Sequence, residues 1–345
     1  MIILLNAGSD VGFSLSYEKG ILCTVGRHIG KKERALLGYN LSFFTLRLGK
    51  SYSYTVERLK DGCLAGVVYT EGGKQKIALV FYKKSKLKVF KLPFENAMLW
   101  QVLKTKEGFI LVGGIKEKNW DAFIAKLSKN FKVIWSKRLD FSEEYFYSVE
   151  KVGKVIYAVG RIKNKNWDAL IVKFSEKGKI LESYTLGGPF KDYLRFINKF
   201  DKKVIAVGRS EDRYGNSDLL VYDFSNYYLY DIGEYDYGRA VSKYGNGFII
   251  AGETRFNGNN DGIFLLLDNN FKPLKAHRLG WEETDAVRFM EFPFFIGYTY
   301  SFSFTPSLLL GIFSDNFERR KVKEVKRKLF IEKITLREKD VWNLR

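Results

Sequence analysis

The stretch Gly113-Gly-Ile-Lys-Glu-Lys-Asn-Trp-Asp121-Ala-Phe-Ile-Ala-Lys126 returns 47 residues later as Gly160-Arg-Ile-Lys-Asn-Lys-Asn-Trp-Asp168-Ala-Leu-Ile-Val-Lys173. Recurrence at a fixed spacing is the mark of a structural repeat. Each copy contains one apolar run that ends in glycine and a second that opens with aspartate. Both runs are short and rich in β-branched and aromatic residues, which predicts two consecutive strands in every repeat.

Glycine-terminated apolar runs recur along the whole chain, at steps of 40 to 48 residues. Their last residues are Gly26, Gly66, Gly113, Gly160, Gly208, Gly252 and Gly297. A period of this length, built from short β-rich runs, is typical of four-stranded propeller blades. The sequence therefore predicts an all-β chain that folds, over residues 1–317, as a single seven-bladed β-propeller.

The fifth repeat shows the four predicted strands most clearly, as Asp192–Asn198, Lys203–Gly208, Asp218–Asp223 and Tyr227–Asp231. Gly, Asn and Asp between them favour tight turns. Ile2–Asn6 stands in an outer-strand position before an Ala7-Gly8-Ser9-Asp10 corner, so we expect this N-terminal strand to complete the seventh blade. Residues 318–345 are then a basic C-terminal extension, packed on the ring or projecting from it, and both an additional outer strand and a docked helix fit its periodicity.

Repeats three to six resemble the seven-bladed β-propeller repeat family, most strongly over residues 97–290. The resemblance rests on the Asp-opened strand, a following Trp, and a Leu-Gly corner that precedes Asp. The matching residues are Asp121–Leu127 with Trp135, Asp168–Phe174 with Leu186-Gly-Gly188 and Asp192, and Asp261–Leu267 with Leu279-Gly280 and Asp285. It implies the architecture alone, because members of this family share no single activity.

Composition points to a folded, strongly basic protein. Apolar residues make up 46% and aromatic residues 16% of the chain, which excludes a disordered class, and the formal net charge is +19. Such a charge favours polyanions or acidic surfaces as partners. Scarce Gln, His, Cys and Met fit a thermophile, whose proteins are also lysine-rich, so both explanations of the charge stay open.

The two cysteines, Cys23 and Cys63, each precede the glycine of their repeat by three residues. Equivalent positions of neighbouring blades are expected to lie too far apart for a disulfide. Two reduced thiols, with no apparent leader sequence, predict a reducing compartment, the cytoplasm. Residues 292–313 carry no charge, but Pro293 and Pro306 favour two strands and a loop over a membrane span.

One face of the predicted ring gathers the loops between second and third strands together with the blade-to-blade corners. Its candidate binding residues are Arg27, Arg161, Arg209, Trp120 and Trp167, and its corner acids are Asp10, Glu144, Asp192, Asp236 and Asp285. Basic and aromatic side chains together suit phosphates and bases. The structural alternative is that the acids cap their corners, the arginines pair with them between blades, and each Trp covers its own loop.

The residue three positions after the start of each innermost strand is expected to face the central channel. These residues are Phe13, Ser53, Trp100, Tyr147, Arg195, Arg239 and Arg288. Three consecutive arginines beside aromatic side chains predict a small-ligand site, whose candidate residues are Arg195, Arg239, Arg288, Trp100 and Tyr147. The alternative is that the arginines only neutralise neighbouring acids.

The tail and one loop supply two further candidate surfaces. The basic residues of the tail, a candidate polyanion site, are Arg319, Arg320, Lys321, Lys323, Lys326, Arg327 and Lys328. In the seventh repeat the loop within Tyr298–Thr305 is aromatic and uncharged. It is expected either to dock a protein or membrane, or to fold beneath the tail.

Catalytic motifs do not stand out, and His28 and His277 are far apart in the repeat order. We expect no metal site and no cofactor. The leading hypothesis is a non-enzymatic cytoplasmic propeller that serves as a binding scaffold for a protein partner. The alternatives are a nucleic-acid-associated protein that uses the tail and the Arg and Trp face, and a small-anion binder or enzyme at the central channel.

Overall fold

The structure, a computed structural model, describes residues 2–5, 9–83, 86–201 and 203–341. The described residues form strands throughout, beginning with β1 (Ile2–Leu5). Blade 1 contains β2 (Ser9–Glu18), β3 (Ile21–Ile29), β4 (Arg34–Tyr39) and β5 (Ser42–Thr45). Blade 2 contains β6 (Ser51–Leu59), β7 (Gly62–Glu71), β8 (Lys74–Lys83) and β9 (Lys86–Glu95). Blade 3 contains β10 (Ala97–Lys104), β11 (Gly108–Lys116), β12 (Trp120–Ser128) and β13 (Val133–Asp140).

The later repeats continue the pattern. Blade 4 contains β14 (Glu144–Val152), β15 (Val155–Lys163), β16 (Trp167–Ser175) and β17 (Ile180–Gly187). Blade 5 contains β18 (Asp192–Phe200), β19 (Lys203–Glu211), β20 (Ser217–Tyr222) and β21 (Tyr227–Asp231). Blade 6 contains β22 (Tyr237–Tyr244), β23 (Gly247–Phe256), β24 (Asn259–Leu267) and β25 (Pro273–Leu279). Blade 7 contains β26 (Asp285–Glu291), β27 (Phe294–Thr299) and β28 (Ser307–Ile312).

Consecutive strands of each blade pair antiparallel, and the sheets are arranged in a ring. The innermost strands β2, β6, β10, β14, β18, β22 and β26 each contact the next, and β26 contacts β2. The protein is therefore a seven-bladed β-propeller, and the prediction of this fold is confirmed. Residues 292–313 form β27, a loop and β28, and the described part of the chain contains no helix with the length and apolarity needed to cross a bilayer.

At the outer edge of blade 7, β1 pairs antiparallel with β28, from Ile2 opposite Gly311 to Leu5 opposite Leu308. Asn6, Ala7 and Gly8, which include most of the predicted corner between β1 and blade 1, lie outside the described residues. Closure of the ring by the N-terminal strand therefore stays a prediction.

The tail runs round the outside of the ring. It forms β29 (Glu318–Arg320), β30 (Lys323–Glu324), β31 (Phe330–Lys333) and β32 (Arg337–Asp340). These strands pair antiparallel with β25, β21, β17 and β13. The tail thus adds a fifth strand to blades 6, 5, 4 and 3 in turn, and of the two conformations that fit the sequence the structure shows outer strands.

Apolar side chains are buried between adjacent blades, in seven clusters that correspond to the seven blade interfaces. Both faces of every sheet are therefore covered, which explains why the middle strands are apolar along most of their length. Leu329 and Leu336 of the tail enter two of these clusters. The tail consequently seals the outer ends of grooves between blades.

The prediction that Cys23 and Cys63 stay unbridged is wrong. The two residues form a disulfide between β3 and β7, with their Cα atoms 5.8 Å apart. Sheets that pack face to face usually lie about 10 Å apart, but blades converge towards the propeller axis. Second strands lie close to that axis, so equivalent positions of adjacent blades come within reach of one another. The predicted reducing compartment loses this part of its support.

Candidate functional site

Every innermost strand contains a β-bulge at the same position. The pairing register skips one residue in each blade, and the skipped residues are Phe13, Tyr54, Trp100, Tyr147, Arg195, Arg239 and Arg288. A bulge leaves the extra residue unpaired and redirects its side chain. These seven residues, here called the axial ring, all line the central channel.

In most blades a glycine of the second strand pairs with the residue just before the bulge, and this recurrence has a steric cause. A Cβ atom on Gly160 would lie 1.8 Å from the carbonyl oxygen of Tyr145, and one on Gly113 would lie 1.8 Å from that of Met98. Contacts this short are impossible for a side chain, so the close approach of the bulged strand requires glycine. In the six blades other than blade 2, the glycine that marks the repeat thus helps to place the axial ring.

In blade 2 the channel residue is Tyr54, and the predicted Ser53 is wrong. Ser53 is fully buried and donates a hydrogen bond to the carbonyl oxygen of Gly66 at 2.7 Å. The register explains the error: Gly66 pairs with Thr55, beyond the bulge, and Val67 stands where the other repeats have glycine. Counting from Gly66 therefore gives a residue one position too early.

Blades 1 to 4 contribute an aromatic arc to the axial ring. The ring centroids of Phe13 and Tyr54 are 4.6 Å apart, and Tyr54 stacks on Trp100 at 4.5 Å. Trp100 meets Tyr147 edge to face at 5.3 Å. Contacts between these rings hold the arc in one arrangement and leave an apolar wall along one side of the channel.

Two of the three channel arginines share a single carboxylate. Arg239 Nε lies 3.1 Å from Glu253 Oε1, and Arg288 Nη1 lies 2.8 Å from the same oxygen. Burial raises the pKa of Glu253, whereas the two guanidinium charges lower it. The net effect is a lowered pKa, so the carboxylate is ionised. Arg288 also donates to the hydroxyl oxygen of Tyr298 at 2.9 Å.

Arg195 has aromatic neighbours in place of a carboxylate. Its guanidinium carbon lies 4.6 Å from the ring centroid of Trp100 and 4.8 Å from that of Tyr147. None of the described acidic residues forms an ion pair with it, and burial lowers its pKa. The predicted alternative, in which channel arginines only neutralise acids, therefore fits Arg239 and Arg288 better than Arg195.

A second layer of side chains lines the channel further from the corners, three residues after each axial-ring position in the sequence. Its acidic members are Glu57, Glu150 and Glu291, which line the same cavity of about 220 Å³. Burial raises the pKa of Glu57 to about 8 and that of Glu150 to about 7. Burial also raises the pKa of Glu291, which accepts a hydrogen bond from the Tyr17 amide at 2.9 Å. The channel is thus cationic nearer the corners and carboxyl-lined below.

The side of the ring that bears the corners, here called the mouth face, carries an alternation of arginine and tyrosine. Arg161 lies over Trp167 at 4.1 Å, and also over Tyr145 and Tyr193 at 5.0 and 5.2 Å. Arg209 continues the series between Tyr193 at 4.8 Å and Tyr235 at 4.6 Å. Trp120 packs on Tyr145 at 5.7 Å. We call these six aromatic and basic groups, with Trp120, the mouth arc.

The structural alternative expected the arginines of the mouth face to pair with the corner acids, and they do not. Arg27 pairs with Glu33 at 3.7 Å instead. No described carboxylate pairs with Arg161 or Arg209. Glu143 and Glu211 on the same face pair with Lys163 and Lys191. Four corner acids do cap their corners by accepting backbone N–H groups, and the fifth faces His28. These are Glu144, Asp192, Asp236, Asp285 and Asp10.

Comparison with known proteins places the chain in a family. A protein of Aquifex aeolicus (strain VF5), itself uncharacterized, is 59% identical over 342 residues, which span 98% of each chain. The chain belongs to the same family as that protein. No family model matches the chain.

Among solved structures, Sqt1 of Chaetomium thermophilum has a TM-score of 0.47 at 10% identity, covering 90% of this chain and 97% of its own. YjhT has a TM-score of 0.49 at 9% identity, covering 81% of this chain and 99% of its own. At these identities neither likeness bears on function. The Aquifex aeolicus relative therefore shows the family, and what the site can bind follows from the residues of the site itself.

The tail divides the basic residues predicted there into two groups. Arg327 forms an ion pair with Asp218 and donates to the Ser210 carbonyl oxygen at 2.9 Å, and Arg320 lies over the Phe256 ring at 4.3 Å. These two are half-buried and hold the tail to the ring. The exposed members are Arg319, Lys321, Lys323, Lys326 and Lys328.

The aromatic loop of blade 7 is exposed and does not fold beneath the tail. Phe304 is fully exposed, and Phe302 packs against Trp281 at 5.0 Å. Neither histidine lines the central channel: His28 Nδ1 lies 2.7 Å from Asp10, and His277 is buried beside Phe317. Among the described residues no cluster of His, Cys, Asp and Glu could hold a metal ion.

Two kinds of site residue escaped the sequence analysis. Glu253 follows Gly252 at the position where Arg27, Arg161 and Arg209 follow theirs, and this exchange of charge was a visible signal. Tyr145 and Tyr193 of the mouth arc directly follow the corner residues of blades 4 and 5, and Tyr235 directly precedes that of blade 6, which was a second signal. The carboxyl layer gave none, because only three of the seven equivalent positions carry an acidic residue.

Proposed function

We propose that this propeller is a non-enzymatic binding scaffold and that its partner is a protein which presents acidic groups to the mouth face. The observation that supports this proposal most directly is the state of Arg161 and Arg209. Both are half-buried, both are fixed by aromatic rings, and neither is paired with a described carboxylate. Each therefore offers its charge and planar hydrogen-bonding edge to a partner.

The energetics of interfaces favour such residues. Arginine, tyrosine and tryptophan are the residue types most often found at binding hot spots. Side chains that are already ordered by stacking lose little conformational entropy on association. The mouth arc supplies all three residue types within one continuous surface. Such a surface suits a partner whose planar carboxylate groups can pair with arginine.

A non-enzymatic role is supported by the environment of the histidines, the most common general acid–base residues. His28 is engaged with a corner acid, and His277 is packed beneath Phe313 at a centroid distance of 5.6 Å. Neither histidine is among the residues that line the central channel.

A cytoplasmic location is part of the same proposal. The disulfide between Cys23 and Cys63 removes the argument from free thiols. It is nonetheless compatible with a cytoplasmic protein of a hyperthermophile, since intracellular proteins of such organisms are often rich in disulfides. The scarcity of thermolabile residues in the sequence supports a source of this kind.

The second candidate function is association with nucleic acid through the tail. Its favouring observation is the orientation of Lys321, Lys323, Lys326 and Lys328, all exposed on the outer circumference while Val322 and Leu329 pack inward. A row of exposed lysines binds phosphates without regard to sequence. This surface is separate from the mouth arc, so the two candidates can be tested in one experiment.

The experiment is affinity purification from the native organism with three baits, each with and without nuclease. The baits are the wild type, R161Q/R209Q and K326Q/K328Q, and the two variants lose the same charge from different surfaces. We expect a protein that is retained by the wild type and by K326Q/K328Q but lost with R161Q/R209Q, irrespective of nuclease. Two hot-spot arginines are worth about 2 kcal/mol each, enough to abolish capture.

Two other outcomes would count against the leading proposal. Material that is lost after nuclease treatment and with K326Q/K328Q would establish the second candidate in its place. Identical protein partners on all three baits would show that neither surface is used.

A further inference from the structure

We propose that the axial ring is a binding site for a small organic anion, one in which a carboxylate or phosphate is attached to a planar ring. The site goes beyond the scaffold role, because it lies inside the channel, and its residues are distinct from the mouth arc. It would take a free metabolite-sized ligand.

Charge is the first argument. Arg195, Arg239 and Arg288 stand on three consecutive blades around one cavity, and Glu253 is the only described carboxylate that pairs with any of them. One paired carboxylate therefore stands against three cations, and Arg195 has none among the described residues. An uncompensated charge in an enclosed site is costly, and a bound anion would supply the missing partner.

The hydrogen-bonding state of the arginines points the same way. Arg288 has a buried Nε–H group with no partner among the described residues. Arg195 lies over the rings of Trp100 and Tyr147 and pairs with no described carboxylate, so its N–H groups are left to bind an oxyanion. Arginine presents donors in a fixed planar fork that matches carboxylate and phosphate oxygens.

Shape is the second argument. The cavity on the mouth side of the axial ring has a volume of about 320 Å³ and is lined by the ring together with Arg27 and Tyr237. This volume suits a ligand at the small end of the range of known binding pockets. The aromatic arc forms the wall opposite Arg239 and Arg288, so a planar ring can pack on aromatic surface while its acidic group meets the arginines.

The carboxyl layer below would set the orientation of such a ligand. Glu57, Glu150 and Glu291 line the deeper part of the channel, and any of them that is ionised repels an anion. A protonated carboxyl can donate a hydrogen bond to a neutral oxygen. The negative group of the ligand is therefore kept at the arginines, and any uncharged polar substituent on its ring would face the carboxyl layer.

The test is calorimetric titration of the full chain with inorganic phosphate, benzoate and phenyl phosphate at one low ionic strength, with benzyl alcohol as the uncharged control. We expect phenyl phosphate to bind more tightly than inorganic phosphate, and benzyl alcohol not to bind. R195L should weaken phenyl phosphate binding by at least about tenfold, since a hydrogen bond to a charged group is lost.

The matched control is R213Q. Arg213 is exposed, lies on the mouth face and stacks on Tyr214 at 4.5 Å, so this variant loses the same charge outside the channel. Its affinity for phenyl phosphate should equal that of the wild type. Binding should also change the fluorescence of the wild type but not that of W100F, which places the ligand beside the axial ring.

A thermal melt separates a ligand role from a structural one. If Arg195 is kept for an anion, R195L without ligand should unfold at the same temperature as the wild type or higher, because an unpaired cation has been removed. A clear drop in melting temperature would assign Arg195 to the fold and overturn the proposal.

Three binding results would also overturn it. Failure of every anion to bind the wild type at millimolar concentration is the first, and equal affinity of R195L and wild type is the second. The third is binding of a hexaglutamate peptide, lost in R195L, while phenyl phosphate does not bind. That result would mean that the channel accepts an acidic side chain of a partner, not a free ligand.

Discussion

Reduction of the bond between Cys23 and Cys63 should lower the free energy of unfolding by about 4 kcal/mol. The two residues are 40 apart in the sequence, and the magnitude is the loop-closure entropy that a cross-link of this span removes from the unfolded chain. Both residues are fully buried between blades 1 and 2. Reduction removes no heavy atom from the interface, so no cavity adds to the difference.

The assay is equilibrium unfolding in urea, followed by tryptophan fluorescence, with and without a phosphine reductant. The C23A/C63A variant is the control, and its midpoint should not respond to the reductant. Thiol titration of the denatured, unreduced wild type should find no free thiol. Two titratable thiols, or a wild-type midpoint that is the same under both conditions, would refute the reasoning, and the original expectation of unbridged cysteines would stand.

Two further predictions concern the tail and the channel. L329A should lower the free energy of unfolding by about 2–4 kcal/mol in thermal or urea melts, because Leu329 is buried between blades 4 and 5, whereas F330A, at an exposed neighbour, should cost less than about 0.5 kcal/mol. Equal effects would mean that the tail does not dock as described. Burial raises the pKa of Glu57 from 4.5 to about 8, so the folded state keeps a proton that the unfolded chain has lost, and the melting temperature should fall as pH rises through this interval. E57Q should show a smaller fall between pH 5 and pH 9, and an unchanged pH profile would contradict the raised pKa.

The repeat in the sequence was enough to predict the blades, because each local signal has a local cause. The glycine spacing follows from the bulged strand that needs it, and the corner acids follow from the backbone N–H groups that they cap. The strands of blade 5 consequently lie within three residues of their predicted positions. Periodicity of this kind depends on neighbours within one repeat, which the sequence displays directly.

Features that depend on distance between repeats could not be predicted in the same way. The bridge between β3 and β7 requires the separation of two blades near the axis, which no spacing in the sequence gives. The tail has apolar residues at irregular intervals because it passes from one blade to the next, and so neither a strand nor a helix period was visible. Tyr54 was missed because one glycine is displaced by a single residue.

The order of residues around the axial ring argues for a site and against simple channel filling. Blades 1 to 4 present only aromatic side chains at the bulge, and blades 5 to 7 present only arginine. Each of the seven positions is the extra residue of the same kind of bulge, so the backbone does not dictate which side chain stands there. If the arginines served only to balance local charge, each would be expected beside its own acid, yet Glu253 in blade 6 serves two of them and Arg195 has none. Segregation into an apolar half and a cationic half is the arrangement that a ligand with an apolar ring and an acidic group requires.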